Sequence, residues 1–405
     1  VLTVTVAGPW GQRAAPRLHI TFDDEVLVIA FDLVDQPMQG LADDTVRTIM
    51  EETWSRYLLH NPYFGRAAQR LSGSHRTFGF AVTDAVAPLL SGISLFPSLA
   101  APEGCEQTAR EVAEAVPYVI WGSSVGPDPA RGGLQSRRTV VDLAVDSDLD
   151  GAARRLLPSS PIAPESLNEG AVASAMLNVN LPTLRANFET RSEQMRCGGI
   201  AMIPGLLGAV SAEIDAAGAL EAMTGSFGAS LLDLRLVGGV PFADVYIQIG
   251  SRQPVQLSGM LQRAVEDATG ARPTLDRLND MRTFSYRIGL QFQLAVVEGP
   301  EAVGVSLGRV QQQWLTRVLS QTAVQTEAFL FFGVDGPRTA TTLESVAEVA
   351  NQMASELGMS SEATELLSAS EVIDSFREID SIRLTGRYQN NYVRFDSRTW
   401  YRANP

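Results

Sequence analysis

LLDLRLVGGVPFADVYIQIG, residues 231 to 250, is the stretch of sequence that decides the fold. Two strand-like runs meet in it, Ser230 to Val237 and Phe242 to Ile249. Gly238 and Gly239 lie between them, and glycine allows the backbone angles that a tight turn needs. The stretch therefore predicts a β-hairpin.

The same order, a pair of strands followed by a helix, recurs on both sides of this hairpin. An amphipathic helix is predicted directly after it, from Val255 to Thr269. Toward the C-terminus, strands are predicted at 283–297, 303–307, 329–334, 381–387 and 392–400, and helices at 309–319, 342–357 and 361–377. Toward the N-terminus, a hairpin is predicted at 17–22 and 25–31 and a helix through 46–57.

Antiparallel strand pairs with helices packed on one face predict an α+β fold, not a doubly wound parallel sheet. At 405 residues the chain is longer than one ordinary core requires. We predict two related halves, an N-terminal α+β half at 1–156 and a C-terminal α+β half at 170–405 that ends in a β-hairpin. Residues 157–169, LPSSPIAPESLNE, contain three prolines and are the predicted linker.

The composition excludes whole classes of chemistry. All 32 basic residues are arginine, so Schiff-base and pyridoxal-phosphate enzymes, P-loop NTPases and the standard kinase pair are excluded, because each needs a lysine. A net charge of −14 without an arginine-rich run argues against nucleic acid as a partner. Codon bias in a GC-rich bacterial genome is the simplest cause of the lysine-free composition, and a selected avoidance of reactive amines is the alternative.

Three features bear on the compartment. Val1 to Ala7 alternates like a strand and unlike a signal peptide, so we expect an upstream leader to have been removed, although an artificial boundary would look the same. Cys105 and Cys197 can form one disulfide in an oxidising compartment if their Cα atoms lie within reach, which the sequence leaves open. No transmembrane span is predicted, because the longest uncharged run, Ala85 to Pro102, carries three prolines and three serines.

Gly122 to Gly126, GSSVG, matches the G-x-S-x-G nucleophile elbow and follows a predicted strand at Tyr118 to Trp121. The elbow requires a helix after its serine and a triad histidine later in the chain. Prolines follow the motif, and the last histidine, His75, lies upstream of it. We therefore interpret Ser124 as part of a turn that ends the strand, and no catalytic residue is predicted.

Asp146, Asp148 and Asp150 form the D-x-D-x-D-G opening of a calcium loop, in which alternate carboxylates face one cation. The match stops halfway, because position twelve, which should be a glutamate, is Leu157. A loop that borrows a ligand from elsewhere in the chain would still bind calcium, and no other cofactor is predicted. The alternative is that these aspartates end the preceding strand and cap the following helix.

The phrases LLDLRLVGGVPFADVYIQIG (231 to 250) and IDSIRLTGRY (379 to 388), set in the repeated order of strand pair, helix and late hairpin, resemble uncharacterised duplicated α+β envelope proteins. These proteins are often lipoproteins of high-GC bacteria. The resemblance lies in the C-terminal half. It implies an exported protein of the periplasm, outer envelope or extracellular space, and a non-enzymatic one, because the family has no catalytic residues to carry over.

These observations favour a non-enzymatic binding or structural protein of the cell envelope. Its expected partners are other protein chains, in a homo-oligomer or a larger assembly. Aromatic and arginine side chains are enriched at interface hot spots, and we expect such an interface on the C-terminal hairpin, at Tyr388, Tyr392, Arg394, Trp400 and Tyr401. The alternative is a hairpin packed on its own core.

Two other functions remain open. A carrier would hold an apolar, lipid-like ligand between sheet and helices, with Ile200 to Val210 lining the cavity. A carboxylate-dependent hydrolase would need two acids facing each other across a cleft. The carboxylate pairs at 23–24, 43–44 and 51–52 cannot establish that arrangement, because turns, caps and solvated helices explain them equally well.

Overall fold

The structure, a computed structural model, describes residues 2–5, 16–22, 27–33, 62–71, 77–83, 111–184 apart from 112, 159–161 and 163, and 219–402 apart from 238–239, 279–280, 289–291, 309–311, 321–326 and 357–369. The chain divides into two compact units, Val1–Gly73 and Ser74–Pro405. Each unit has its own β-sheet.

The first unit contains a three-stranded antiparallel sheet of order β1-β2-β3. Its strands are β1 (Leu2–Thr5), β2 (Pro16–Phe22) and β3 (Leu27–Leu33), and helix α1 (Pro62–Leu71) follows them along the chain. Phe22 lies opposite Leu27, so the hairpin predicted at 17–22 and 25–31 is confirmed, with its second strand displaced toward the C-terminus. The helix predicted through 46–57 lies outside the described residues.

The second unit contains one 13-stranded sheet in which every neighbouring pair is antiparallel. Its strands are β4 (Thr77–Val82), β5 (Tyr118–Asp128), β6 (Leu134–Ala144), β7 (Ala173–Asn178), β8 (Met223–Val237), β9 (Val240–Ser251), β10 (Thr274–Leu278), β11 (Met281–Ile288), β12 (Phe292–Glu298), β13 (Ala302–Leu307), β14 (Ala328–Asp335), β15 (Ile379–Gln389) and β16 (Tyr392–Tyr401). Their spatial order is β10-β11-β12-β13-β9-β8-β7-β14-β15-β16-β6-β5-β4. Antiparallel strands accompanied by helices confirm the α+β class.

The helices of the second unit lie between strands along the chain. Among the described residues they include α2 (Asp150–Leu156), α3 (Pro164–Asn168), α4 (Ala219–Ala222), α5 (Pro254–Thr269), α6 (Gln312–Ser320), α7 (Gly336–Glu356) and α8 (Ser370–Glu378). The predicted hairpin formed by β8 and β9 is confirmed, and so is α5, which begins at a proline and ends at Gly270 with a left-handed φ of 67°. Helix α7 begins earlier than predicted, because the side chain of Asp335 accepts the backbone N–H of Arg338 at 2.9 Å and caps the first turn.

Helices cover both faces of the sheet near β12. On one face, Val297 belongs to a core cluster with Leu167 of α3 and Leu319 of α6. On the other face, its neighbour Val296 belongs to a second cluster with Leu257 of α5. Adjacent strand residues point to opposite faces, so two buried valines in succession require cover on both sides. The expectation of helices on one face only is therefore wrong.

The predicted linker, residues 157–169, contains helix α3. Pro164, Ser166 and Leu167 of this helix are buried, and Leu167 reaches the first core cluster. Strand β6, which precedes the segment, pairs with β16 in the same sheet. The boundaries at 1–156, 157–169 and 170–405 stay predictions.

Candidate interaction surface and the C-terminal hairpin

Strands β15 and β16 form the predicted C-terminal hairpin, and they lie inside the large sheet, between β14 and β6. Asn390 and Asn391 join them, with φ angles of 52° and 62°. Two successive left-handed residues give the type I′ turn whose twist matches paired strands, and asparagine adopts that conformation more readily than most residues. The hairpin is therefore confirmed, and its position gives both strands a neighbour on each side.

Arg394, a predicted interface residue, forms an ion pair within the chain. Its Nε and Nη2 atoms donate to the two carboxylate oxygens of Asp142, at 2.7 and 2.6 Å. Asp142 is fully buried and lies directly opposite Arg394 in strand β6. The hydrogen bonds to this carboxylate are the main cause that raises the pKa of the Arg394 guanidinium above its ordinary value.

Trp400 is buried, and its indole Nε1 donates to a carboxylate oxygen of Asp128 at 2.7 Å. Arg398 donates to the same oxygen at 2.9 Å. The bond from Trp400 is the largest cause that lowers the pKa of Asp128, and burial acts in the opposite direction. The guanidinium of Arg131 lies 4.3 Å from the centre of the indole ring, within cation–π range.

The three tyrosines at the ends of the hairpin also lie against the chain's own residues. Tyr392 hydrogen-bonds through its hydroxyl to Tyr118, and the two rings pack edge to face. Tyr388 donates to Asp150 at 2.6 Å, and Tyr401 is partly buried opposite Gln135. These contacts correspond to the alternative in which the hairpin packs on its own core, and an interface at these five positions stays a prediction.

The aspartates of the calcium motif lie at helical ends. Asp146 accepts the backbone N–H of Asp148 at 2.9 Å and so caps a single 3-10 turn, and Asp150 pairs with Arg154 at 2.9 Å. The hydrogen bond from Tyr388 is the main cause that lowers the pKa of Asp150. In the part of the chain that the structure describes, no three His, Cys, Asp or Glu side chains are grouped to hold a metal ion. Calcium binding stays a prediction. Asp146 caps the 3-10 turn, whereas the first turn of α2 has no side-chain cap among the described residues.

Ser124 lies in the interior of β5, opposite Arg138 of β6. The predicted turn at Gly122 to Gly126 is therefore wrong, since the strand continues to Asp128. Pairing with β6 along its whole length stabilises the extended backbone and outweighs the turn preference of the glycines. Cys105, Cys197, His60, His75 and residues 200–210 lie outside the described residues, and His19 lies within β2.

One face of the large sheet exposes apolar side chains. Every large hydrophobic residue that is exposed on a strand, among the side chains described, lies on that face, which we call the apolar face: Trp121, Val125, Leu177, Ile247, Leu275, Leu307 and Phe332. Directly paired residues share a face, as do residues two apart on one strand. Trp121, for example, connects to Leu177 through the successive partners Val141, Phe395, Gly386 and Leu330.

Strand β14 shows how the sequence signals this surface. Phe331 and Phe332 are consecutive, yet Phe331 is 3% exposed in the first core cluster and Phe332 is 41% exposed on the apolar face. An apolar run in a strand predicts burial on both faces. Helix α5 covers the apolar face near Val296, whereas Leu177 and Ile247 stay 41% and 44% exposed. The exposed part of the face therefore has the composition of a buried one.

No helix in the described ranges has both the length and the hydropathy needed to cross a membrane. Comparison of the chain with protein families, with curated proteins and with solved structures finds no match in any of the three.

Proposed function

We propose that the protein acts by non-covalent assembly, in which the apolar face of one copy packs against the apolar face of a second copy. The observation that carries this proposal is the placement of all seven strand-borne exposed hydrophobic side chains on one face. Exposed apolar surface on a sheet is typical of protein–protein contact sites. A second copy packed on the apolar face would bury the exposed side chains of β7 and β14, as the apolar runs of these two strands predict.

A second copy is proposed as the occupant because a row of side chains across the apolar face is uncharged. The chain carries a net charge of −14, so two copies repel each other over most of their surfaces. The row of partners from Trp121 to Leu177 contains only apolar side chains and one glycine. Two copies that meet along this row bring no like charges into contact there, and a two-fold axis would use every side chain of the row twice.

We also propose that the protein is exported and that the chain contains two related halves. The recurrence of a strand pair followed by a helix, as in β5, β6 and α2 of the N-terminal half and in β8, β9 and α5 of the C-terminal half, supports two related halves. The resemblance to duplicated envelope proteins supports export. Fractionation of producing cells, with the chain found outside the cytoplasm, is the corresponding test.

The test of assembly is a double substitution, Leu177→Ser with Phe332→Ser. Both side chains are 41% exposed, and full burial of such a side chain contributes about 1.5–3 kcal/mol. Covering the exposed part thus contributes roughly 1 kcal/mol per side chain, or roughly 4 kcal/mol for the four side chains of a symmetric pair. We expect the self-association constant to fall by about a hundredfold or more.

The measurement is sedimentation equilibrium over a range of protein concentrations. The matched control is Leu149→Ser with Val372→Ser, because these residues are 39% and 48% exposed but lie in the 3-10 turn after β6 and on helix α8. The control should associate like the original chain, and circular dichroism should show all three proteins folded. A wild-type chain that stays monomeric at every concentration would overturn the proposal, as would equal weakening by both double substitutions.

A further inference from the structure

A polar cavity of about 320 Å³ lies where several elements of the second unit meet. The contributing segments are the 3-10 turn after β5, the end of α3, the junction of β14 and α7, the start of β15 and the residue after β16. Its charged lining consists of Arg131, Arg338, Arg402, Asp335 and Asp380. Ligand cavities in proteins begin at about this size, so the space suits a small molecule.

Arg131 is held in place on the cavity wall. Its Nη1 donates to Asp380 at 3.0 Å and to the hydroxyl of Ser381 at 2.7 Å. The guanidinium also stacks near the ring of Trp400. A planar guanidinium with a fixed orientation is suited to bidentate recognition of carboxylate or phosphate oxygens.

The other two arginines carry uncompensated charge. Within the described part of the chain, neither Arg338 nor Arg402 forms an ion pair; Arg338 donates through Nη1 to the carbonyl oxygen of Gly170 at 2.6 Å. The carboxylate of Asp335 accepts the backbone N–H of Arg338, and the carboxylate of Asp380 faces Arg131. The lining thus has three cations and two anions, which leaves one positive charge in excess.

Arg383 adds to the positive charge beside the cavity. It lies two residues after Ser381 on β15, and its buried Nε atom has no hydrogen-bond partner among the residues that the structure describes. Burial, followed by repulsion from Arg131, lowers the pKa of its guanidinium. Cationic side chains collected in one place on a chain with a net charge of −14 provide a local site to which an anion would be drawn.

We propose that this cavity binds a small organic anion, with its phosphate or carboxylate group held by Arg131, Arg338 and Arg402. Binding does not depend on assembly, because none of the seven exposed side chains that define the apolar face lines the cavity. Because the chain has no lysine, arginine is the side chain that it uses here to recognise an oxyanion. The ligand chemistry is an oxyanion on a molecule small enough for the cavity.

Isothermal titration calorimetry on the full chain tests the site, with inorganic phosphate and succinate as separate probes. Saturable binding of phosphate identifies a phosphate site, and saturable binding of succinate alone identifies a carboxylate site. Arg338→Gln with Arg402→Gln should weaken the probe that binds by about tenfold or more, because two charge-assisted hydrogen-bond donors are lost. Arg263→Gln on α5, an exposed arginine outside the cavity, is the control and should bind like wild type.

Asp380→Asn tests the proposal through an expected increase in anion affinity. This substitution removes the carboxylate that occupies Arg131, so the bound anion meets less competition and less repulsion, and its affinity should rise severalfold. A damaged fold would lower affinity instead, so an increase cannot arise from misfolding. The proposal is overturned if neither probe binds, if Arg263→Gln weakens binding as much as the double substitution, or if Asp380→Asn fails to strengthen it.

Discussion

The buried pair of Arg394 and Asp142 makes a quantitative prediction about stability. Arg394→Leu removes both hydrogen bonds that the guanidinium donates, while Asp142 is 0% exposed and remains in place. Hydrogen bonds to charged groups contribute about 1.5–3 kcal/mol each, and breaking one side of a buried ion pair costs about 3–5 kcal/mol. We expect the free energy of unfolding to fall by about 3–5 kcal/mol.

The assay is chemical unfolding in guanidinium chloride, followed by far-ultraviolet circular dichroism. A matched control exists in Arg377 of α8, whose ion pair with Glu344 joins side chains that are 58% and 41% exposed. Exposed pairs contribute at most about 1 kcal/mol, so Arg377→Leu should have a small effect. The contrast between the two arginines isolates the effect of burial.

A double substitution, Arg394→Leu with Asp142→Leu, separates the effect of the buried Asp142 charge from that of lost packing. Replacing both partners by apolar side chains removes the buried charge, so the double variant should be more stable than Arg394→Leu alone. The reasoning fails if Arg394→Leu costs about 1 kcal/mol or less, or if it costs no more than Arg377→Leu. It fails equally if the second substitution deepens the loss.

Three further predictions concern other parts of the second unit. Trp400→Phe removes the main cause of the lowered pKa of Asp128. A carboxyl group whose pKa is lowered by folding stabilises the fold above its unfolded pKa of about 3.9, and this stabilisation is lost as pH falls through the folded pKa. In unfolding curves measured over a pH series, the stability difference between Trp400→Phe and wild type should therefore shrink below about pH 4. Gly336→Ala should destabilise the fold by about 1–3 kcal/mol in thermal unfolding, because a Cβ there would collide with the backbone carbonyl oxygen of Ile379; an unchanged melting temperature would contradict this. Asn391→Val should cost about 1–2 kcal/mol and Asn391→Gly should be neutral or stabilising, because φ is 62° at this turn position; equal stabilities of the two variants would refute the turn argument.

Local elements could be predicted well from the sequence because their causes are local. Gly238 and Gly239 predict a turn, Pro254 and Gly270 bound α5, and the alternation around 381–400 predicts the last hairpin. The sequence-based predictions are wrong where pairing with a distant segment determines the local backbone conformation. Gly122 to Gly126 has the composition of a turn, but pairing with β6 keeps it extended.

The candidate sites could be predicted only in part. The consecutive apolar residues of β14 indicate that both faces of this strand need cover, and this is a sequence signal for the apolar face. The hot-spot prediction selected Arg394 and Trp400 by residue type. Residue type cannot distinguish an exposed arginine from one opposite a buried carboxylate more than 200 positions away in the chain.

The sequence by itself determined the α+β class, the hairpins, α5 and the exclusion of lysine chemistry, because turn residues, periodicity and composition act within a few residues of one another. The tertiary structure alone decided that β14 pairs with β7 and β15, and that β16 pairs with β6. It alone brought Arg131, Arg338 and Arg402 to one cavity. Strand order and register depend on contacts between segments far apart in the chain, and those contacts decide which side chains share a face, a partner or a pocket.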